Sequence, residues 1–208
     1  MKKIFLLMMA VCLSTYTYAQ DEVRLPSPQT SDDYSMPVME ALKNRRSYRS
    51  FSTAHFSDAQ LSTLLWAACG INDPVTKRIT APSAINAQDI IVFVCRADGA
   101  WRYDPNEHKL VRTSRKDLRG LIAGRQEFAK EAPVCLVLAS DTTKFKHAAH
   151  DYACMDAGYV SENIYLACTA MGLVTVARAQ MDKEALHKEL GLKNTEELIL
   201  NHPVGQPK

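Results

Sequence analysis

The 208-residue chain lacks the usual fingerprints of nucleotide and hydrolase chemistry. It has no Gly-x-Gly-x-x-Gly turn, no Gly-x-x-x-x-Gly-Lys loop and no Gly-x-Ser-x-Gly elbow. A Rossmann dinucleotide site, a P-loop and an α/β-hydrolase nucleophile are thereby excluded. His147, His150 and Cys154 fall at helical spacing beside Asp151, but no Cys-x-x-Cys or His-Glu-x-x-His pair accompanies them. No metal site is expected. Internal repeats and low-complexity tracts are missing. So is any excess of one charge. The formal net charge of +2 is that of Lys2 and Lys3, and the remainder is neutral. Neutrality gives no support to nucleic acid or an anionic membrane as partner.

The N-terminal apolar run, residues 4–13, is too short to span a bilayer and follows those two lysines. Thr17 and Ala19 then place small residues ahead of a cleavage point before Gln20. This is the layout of a secretory signal. No twin-arginine pair precedes the run, so the signal reads as Sec-type. The expectation is a periplasmic or secreted bacterial protein with no stable membrane insertion. Cys12 is a poor lipidation site because bulky Val11 precedes it. Residues 1–19 are assigned to the signal peptide. Residues 20–35, polar with Pro26 and Pro28, are assigned to a flexible lead, extended or disordered. Residues 36–208 make one domain of ordinary size.

Five cysteines follow the signal: Cys69, Cys95, Cys135, Cys154 and Cys168. An odd number leaves at least one unpaired. They read as core residues, since free cysteine is a small hydrophobe. An oxidising compartment permits a disulfide, but the spacing selects no pair.

Residues 36–44 predict a helix with Pro37 in its first turn. Ser57 and Gln60 form a capping-box pattern. Leu61, Leu64, Leu65 and Ala68 follow as a buried stripe, and Gly70 ends the helix. Residues 72–84 read as a loop. Strands are expected over residues 90–96, 101–104 and about 108–111, as a meander. Residues 115–131 read as helical. Residues 133–140 are continuously apolar, which suits a strand buried on both faces. One long helix is expected over residues 147–171, with enough Ala, Cys and Gly to pack closely on another helix. A short strand over 174–176, a helix over 182–190 closed by Gly191, and a last strand over 198–202 complete the chain. Helices alternating with strands around an inserted hairpin make a mixed α+β sandwich.

The chemistry concentrates in Asn44-Arg45-Arg46-Ser47-Tyr48-Arg49-Ser50-Phe51. Arginine forks bidentately onto phosphate oxygens, so three guanidinium groups just after a helix point to a phosphorylated ligand. The alternative is a solvated basic face. Asn86 precedes the apolar strand. Its amide can donate and accept towards a ligand or cap its own loop.

In order along the chain, these segments resemble the FMN-dependent nitroreductase family. Residues 45–51 are similar to its Arg-Arg-Ser-x-Arg-x-Phe motif, and residues 82–88 to its Pro-Ser-x-x-Asn-x-Gln motif. Asp156-Ala157-Gly158, with Glu162-Asn163, Leu166-Ala167, Ala170 and Gly172-Leu173, looks like its long interface helix. Residues 203–207 resemble its closing strand and Gly-x-Pro turn. The likeness spans roughly residues 36–208, with Glu162 standing where Gln is usual.

The resemblance implies an α+β, nitroreductase-like three-layer sandwich with an antiparallel-rich sheet wrapped by helices. It implies an intertwined homodimer with FMN at the interface. Arg45, Arg46 and Ser47 would face the phosphate and ribityl chain. Arg49 and Asn86 would lie at the pyrimidine edge, with Ser83 and Gln88 less directly involved. The backbone at Ala179, with Gln180, would approach the flavin O4 and N5. Two features depart from the family pattern. Arg178-Ala179-Gln180 stands where Gly or an acid is common, and the chain stops at Lys208 where many relatives add basic residues.

The implied activity is that of an FMN-dependent oxidoreductase. It would pass hydride or electrons from a donor, NAD(P)H bound transiently, to a small organic acceptor of nitroaromatic or quinone type. The flavin would carry the chemistry, and no catalytic acid or base is assigned, because the sequence shows no defensible one. NAD(P)H is scarce outside the cytoplasm, which keeps two other readings open. One is a flavin oxidase or dehydrogenase acting on another substrate. The other is a non-catalytic flavin-binding protein.

Overall fold

The computed structural model describes residues 21–30 and 34–208. The signal-peptide assignment lies outside the described residues. In chain order the elements are β1 (Glu22–Arg24), α1 (Val38–Asn44), α2 (Asp58–Cys69), β2 (Ile71–Asp73), β3 (Arg78–Ile79), β4 (Ile90–Arg96), β5 (Gly99–Asp104), β6 (Lys109–Ser114), α3 (Arg119–Ala123), β7 (Val134–Asp141), α4 (Ala149–Ala170), β8 (Val174–Thr175), α5 (Lys183–Glu189) and β9 (Glu196–Gly205). Seven strands form one sheet in the order β1-β6-β5-β4-β7-β9-β8. Every pairing in it is antiparallel.

The apolar run of β7 lies inside this sheet, between β4 and β9, and is buried from Val134 to Ser140. Successive side chains of a strand point to opposite faces, so β7 feeds two cores. Leu136 and Leu138 join Val92 and Val94 of β4 and the inward stripes of α2 and α4. Cys135 and Val137 join Ile91 and Phe93 of β4 with Ile122 of α3 and Leu186 of α5. Helices on both faces of one antiparallel sheet are the three-layer α+β sandwich expected. Each fully buried Leu or Phe side chain contributes about 1.5–3 kcal/mol to it.

The capping box of α2 is formed. Ser57 Oγ accepts from the Gln60 N–H at 3.1 Å, and Gln60 Oε1 accepts from the Ser57 N–H at 3.0 Å. Such a cap stabilises a helix by about 1 kcal/mol. One face of α4 is buried against α2 and the sheet through Ala153, Ala157, Val160 and Ile164. Its other face leaves Met155 and Tyr159 exposed, as α1 does Val38, Met39 and Leu42. Gly158 is also exposed, and a Cβ there would meet nothing within 4 Å.

Several expectations need correction. The lead is built into the fold: β1 pairs with β6, Leu25 is buried, and the Gln29 N–H donates to Thr63 Oγ1 at 2.9 Å. A three-residue edge strand is too short to show alternation. For the same reason the expected loop at 72–84 conceals the β2–β3 hairpin, whose turn is held by Asp73 accepting from the Val75 and Thr76 N–H groups. The helical stretch at 115–131 is only α3 and a 3₁₀ turn, because Gly124 at φ +54° breaks it. Ala148 at φ +49° delays α4 to Ala149, and β9 extends beyond 198–202 in both directions. All five cysteines are free; Cys154 is exposed, not a core residue, whereas the other four are buried.

Candidate functional site

The arginine segment is an extended strap, anchored at both ends. The Arg45 N–H donates to Ala41 O at 2.8 Å and closes α1. The Tyr48 N–H donates to Thr175 O at 2.9 Å, and the Ser52 N–H to Gln206 O at 3.0 Å. Between them, Phe51 is 2% exposed and belongs to the second core. The Phe of the motif is thus the hydrophobic anchor that leaves the preceding arginines on the surface.

Tyr165 of α4 gathers the strap and the segment after β8. The Arg45 guanidinium lies 5.0 Å from its ring centroid, a cation–π contact. Ser47 Oγ is 2.8 Å from Tyr165 Oη, and the Ala177 N–H donates to that same oxygen at 2.8 Å. Behind Tyr165 stands His202, edge-on at 5.3 Å between centroids. Thr175 Oγ1 donates to Pro203 O at 2.9 Å, so it accepts from His202 Nδ1 at 3.1 Å. Nε2 is then left to accept from Ser161 Oγ at 2.8 Å. Both ring nitrogens are paired. Burial pushes the imidazole down to about 3, so it is neutral.

Arg46 turns one Nη to the Lys43 and Arg45 carbonyls at 2.8 Å each and is otherwise exposed, as is Arg49. Among the described residues no carboxylate lies within ion-pair reach of Arg45, Arg46 or Arg49. Among the described residues, three guanidinium groups within five positions therefore have no counter-charge. That is a fit for an anionic group, and phosphate geometry suits the arginine fork.

The segment after β8 divides its labour. Arg178 is buried and donates to Gln126 Oε1, Ile122 O, Ala123 O and Asn201 Oδ1 at 2.7–3.2 Å. Its guanidinium also lies over the Phe128 ring. The departure from the family pattern at this position is thus a structural clamp. Ala179 next to it is exposed, two residues from the Ala177 contact with Tyr165.

Asn86 belongs to a different neighbourhood. Its loop holds three non-glycine residues in the left-handed region: Ile85 at φ +50°, Asn86 at +57° and Gln88 at +48°. Ile85 is 80% exposed. Such conformations cost about 1–3 kcal/mol each and persist only where the surroundings impose them. Here Ser83 Oγ accepts from the Gln88 N–H at 2.9 Å, and Gln88 Nε2 donates to Lys77 O and Asn86 Oδ1. Asp156 of α4 receives the Ala84 N–H with both carboxylate oxygens at 2.9 Å.

Beneath this loop lies buried Asp89. Ser140 Oγ donates to its Oδ2, while Oδ1 meets no hydrogen-bond donor among the described residues. Burial first, and neighbouring Asp156 second, push the Asp89 carboxyl up to about 7 despite the Ser140 bond. A proton on Asp89 turns the Asp156 carboxylate into its acceptor.

The structure thus gathers Arg45, Ser47 and Ala177 around Tyr165, with Arg46 and Arg49 exposed on the same strap and Ala179 two residues beyond Ala177. It does not bring Asn86 to them. Asp156 and Tyr165 stand nine residues apart on α4, roughly 14 Å of helix. Tyr165, His202 and Asp89 escaped the sequence reading. An aromatic inside a helical stripe reads as core, and nothing local marks a buried His or Asp as paired.

Comparison with known proteins places this geometry. The nitroreductase family model matches residues 42–206. A protein of Methanocaldococcus jannaschii that carries a nitroreductase name is 27% identical over 201 residues, covering 89% of this chain and 96% of that protein. The crystal structure of a nitroreductase-like protein of Ralstonia eutropha is 34% identical, covers 91% of this chain and 90% of its own, and superposes with a TM-score of 0.83. A Desulfovibrio desulfuricans structure in complex with FMN shares the fold at 21% identity, with a TM-score of 0.62 over 83% of this chain and 87% of its own. On the family match and the Ralstonia likeness, this chain belongs to the nitroreductase family of oxidoreductases.

Proposed function

We propose that this protein is an FMN-dependent oxidoreductase whose site is shared between two copies of the chain. The observation that carries the reading is the strap: among the described residues no carboxylate lies within ion-pair reach of Arg45, Arg46 or Arg49, Arg46 and Arg49 are exposed, and Arg45 lies over Tyr165, which His202 backs. Bound FMN would supply hydride and electron transfer. Arg45, Arg46 and Ser47 would hold its phosphate and ribityl chain. Arg49 and Asn86 would meet the pyrimidine edge, where a positive group favours charge gained on reduction. The exposed backbone at Ala179 would lie against the ring. The FMN complex of the Desulfovibrio protein supports this choice of cofactor.

The separation of Asn86 from the strap within one protomer supports a homodimer, in which the loop of one copy completes the site of the other. So do the apolar residues left exposed on α1 and α4. The acceptor in this reading is a small organic molecule of nitroaromatic or quinone type, and NAD(P)H is the donor. The N-terminal segment supports export to the periplasm or beyond. The test is an FMN titration of the purified protein followed by anaerobic NADPH. Flavin absorbance that bleaches with NADPH and returns with a nitroaromatic or quinone is the expected result. Bound flavin that NADPH does not bleach turns the reading towards an oxidase or dehydrogenase of another substrate. Protein that gains no flavin overturns it.

A further inference from the structure

We infer that Asp89 is a positioning residue for the Asn86 loop: a proton that it donates to Asp156 latches that loop in its left-handed form. Ile85, Asn86 and Gln88 all stand at positive φ there, where side chains other than glycine are uncommon. The loop is tied to α4 by the Ala84 N–H, which both Asp156 carboxylate oxygens receive at 2.9 Å. Asp156 and Asp89 are each 1% exposed. Both lie inside the protomer beneath the loop, so a partner packed on its outer face leaves them in place.

The proton follows from the donors. Ser140 Oγ donates to Asp89 Oδ2, and Oδ1 meets no donor among the described residues. Ionised carboxylates only accept, so two of them side by side have nothing to share. The charged groups of the surrounding elements are turned elsewhere. On β7, Asp141 gives its N–H to Asp89 O and turns its carboxylate to Thr143. On β9, Glu196 pairs with Arg102, and Glu197 lies against His150. Lys77 and Arg78 of the hairpin side, Lys144 and His147 ahead of α4, and Asp151 on it are all exposed. Asp156 is the charged side chain that bears on Asp89. A single proton resolves the contact. It belongs on Asp89, because the Ala84 N–H favours the charged form of Asp156. Burial and Asp156 hold the Asp89 carboxyl at about 7, so the proton leaves near neutrality.

Once it leaves, two buried carboxylates repel each other. Asp156 is fixed by the packed face of α4, and β4 by its neighbours in the sheet, so the strained loop is the part that yields. Separation of the carboxylates lifts it from α4, and the Ala84 N–H exchanges Asp156 for water. The latch is closed in acid and opens as the pH rises through about 7. Its consequence for the cofactor rests on the reading above, in which Asn86 meets FMN.

The experiment is hydrogen exchange of the Ala84 amide between about pH 5 and 9, corrected for the intrinsic rise of exchange with pH. In the parent, opening should increase by up to about ten-fold per pH unit and level off above about pH 7. Asp89→Asn, whose side-chain N–H stands in for the proton at every pH, should give a flat profile. Ser140→Ala removes a bond that favours the charged carboxylate and should move the levelling to higher pH. The parent's Kd for FMN, divided by that of Asp89→Asn, should rise over the same range; the ratio cancels the titration of the FMN phosphate. A flat parent profile, or one that Asp89→Asn reproduces, overturns the latch whether or not flavin binds. The expected exchange with a flat Kd ratio supports the latch and removes Asn86 from the cofactor site.

Discussion

Two polar networks are built into α4, and they differ in how completely they are paired. At the Tyr165 end, His202 is buried with both nitrogens satisfied by Ser161 and Thr175, and no non-glycine residue nearby is left-handed. At the Asp156 end, Asp89 keeps an oxygen without a donor, and three residues of the overlying loop sit at positive φ. A fully satisfied buried network costs little and holds its neighbours in one geometry. An incomplete one depends on a proton. The arginine strap therefore rests on a support indifferent to mild changes of pH, and the Asn86 loop on one that is sensitive to them.

The largest effect should come from breaking the complete network. His202→Ala leaves a cavity, strands the Ser161 hydroxyl and removes the N–H that Thr175 Oγ1 accepts, a loss of about 3–5 kcal/mol. Thermal unfolding should show it as a fall of roughly 10 °C or more. A variant that melts with the parent would deny the Tyr165 end its rigidity. Next comes Arg45→Ala, which should weaken FMN binding by about 2–4 kcal/mol in a fluorescence titration. Arg49→Ala should shift the flavin potential more than the affinity. If both variants bind and reduce FMN like the parent, the strap is only a basic surface.

The pH dependence of the two networks runs in opposite directions. His202 is held at about 3 against an ordinary 6.5, so the unfolded chain takes up the proton first in acid. Its contribution is full above pH 6.5 and is lost as the pH falls towards 3. Asp89 is held at about 7 against an ordinary 3.8, so the folded chain keeps the proton longer. That contribution is full below pH 3.8 and is lost as the pH rises through 7. Between about pH 4 and 6.5 the two slopes oppose each other. Asp89→Asn should therefore leave the His202 slope uncovered, melting lower than the parent in acid and, by on the order of 1 kcal/mol, higher at pH 8. Melting curves of the two proteins that stay parallel across this range would remove Asp89 from the account.

The smallest effect on the protomer is expected at Gly158, between the two networks on the outer face of α4. A Cβ there meets nothing, so Gly158→Leu should scarcely move protomer stability. In a homodimer packed on that face it should release partner and flavin together, read by sedimentation alongside flavin fluorescence. A dimer that survives the change would move the interface elsewhere.

Sequence patterns located the elements better than they located the site. The capping box at Ser57 and Gln60, the bounds of β4 and the burial of β7 were all legible, because they rest on short-range spacing and unbroken apolar runs. Of the site residues, the strap was legible as charge, but its support was not. Tyr165 meets Ser47 across 118 residues, and His202 meets Ser161 across 41. Contacts at such separation leave no periodic trace.

The sequence by itself determined the layered α+β class, the exposed run of arginines and the family to which they point. Each follows from composition and spacing that act locally, or from motifs in a fixed order. Only the tertiary structure decided that Arg178 is a clamp, that Cys154 is exposed, and that Asp89 shares its burial with a second carboxylate. Each of those depends on which groups are removed from water together, and burial is a property of the packed chain.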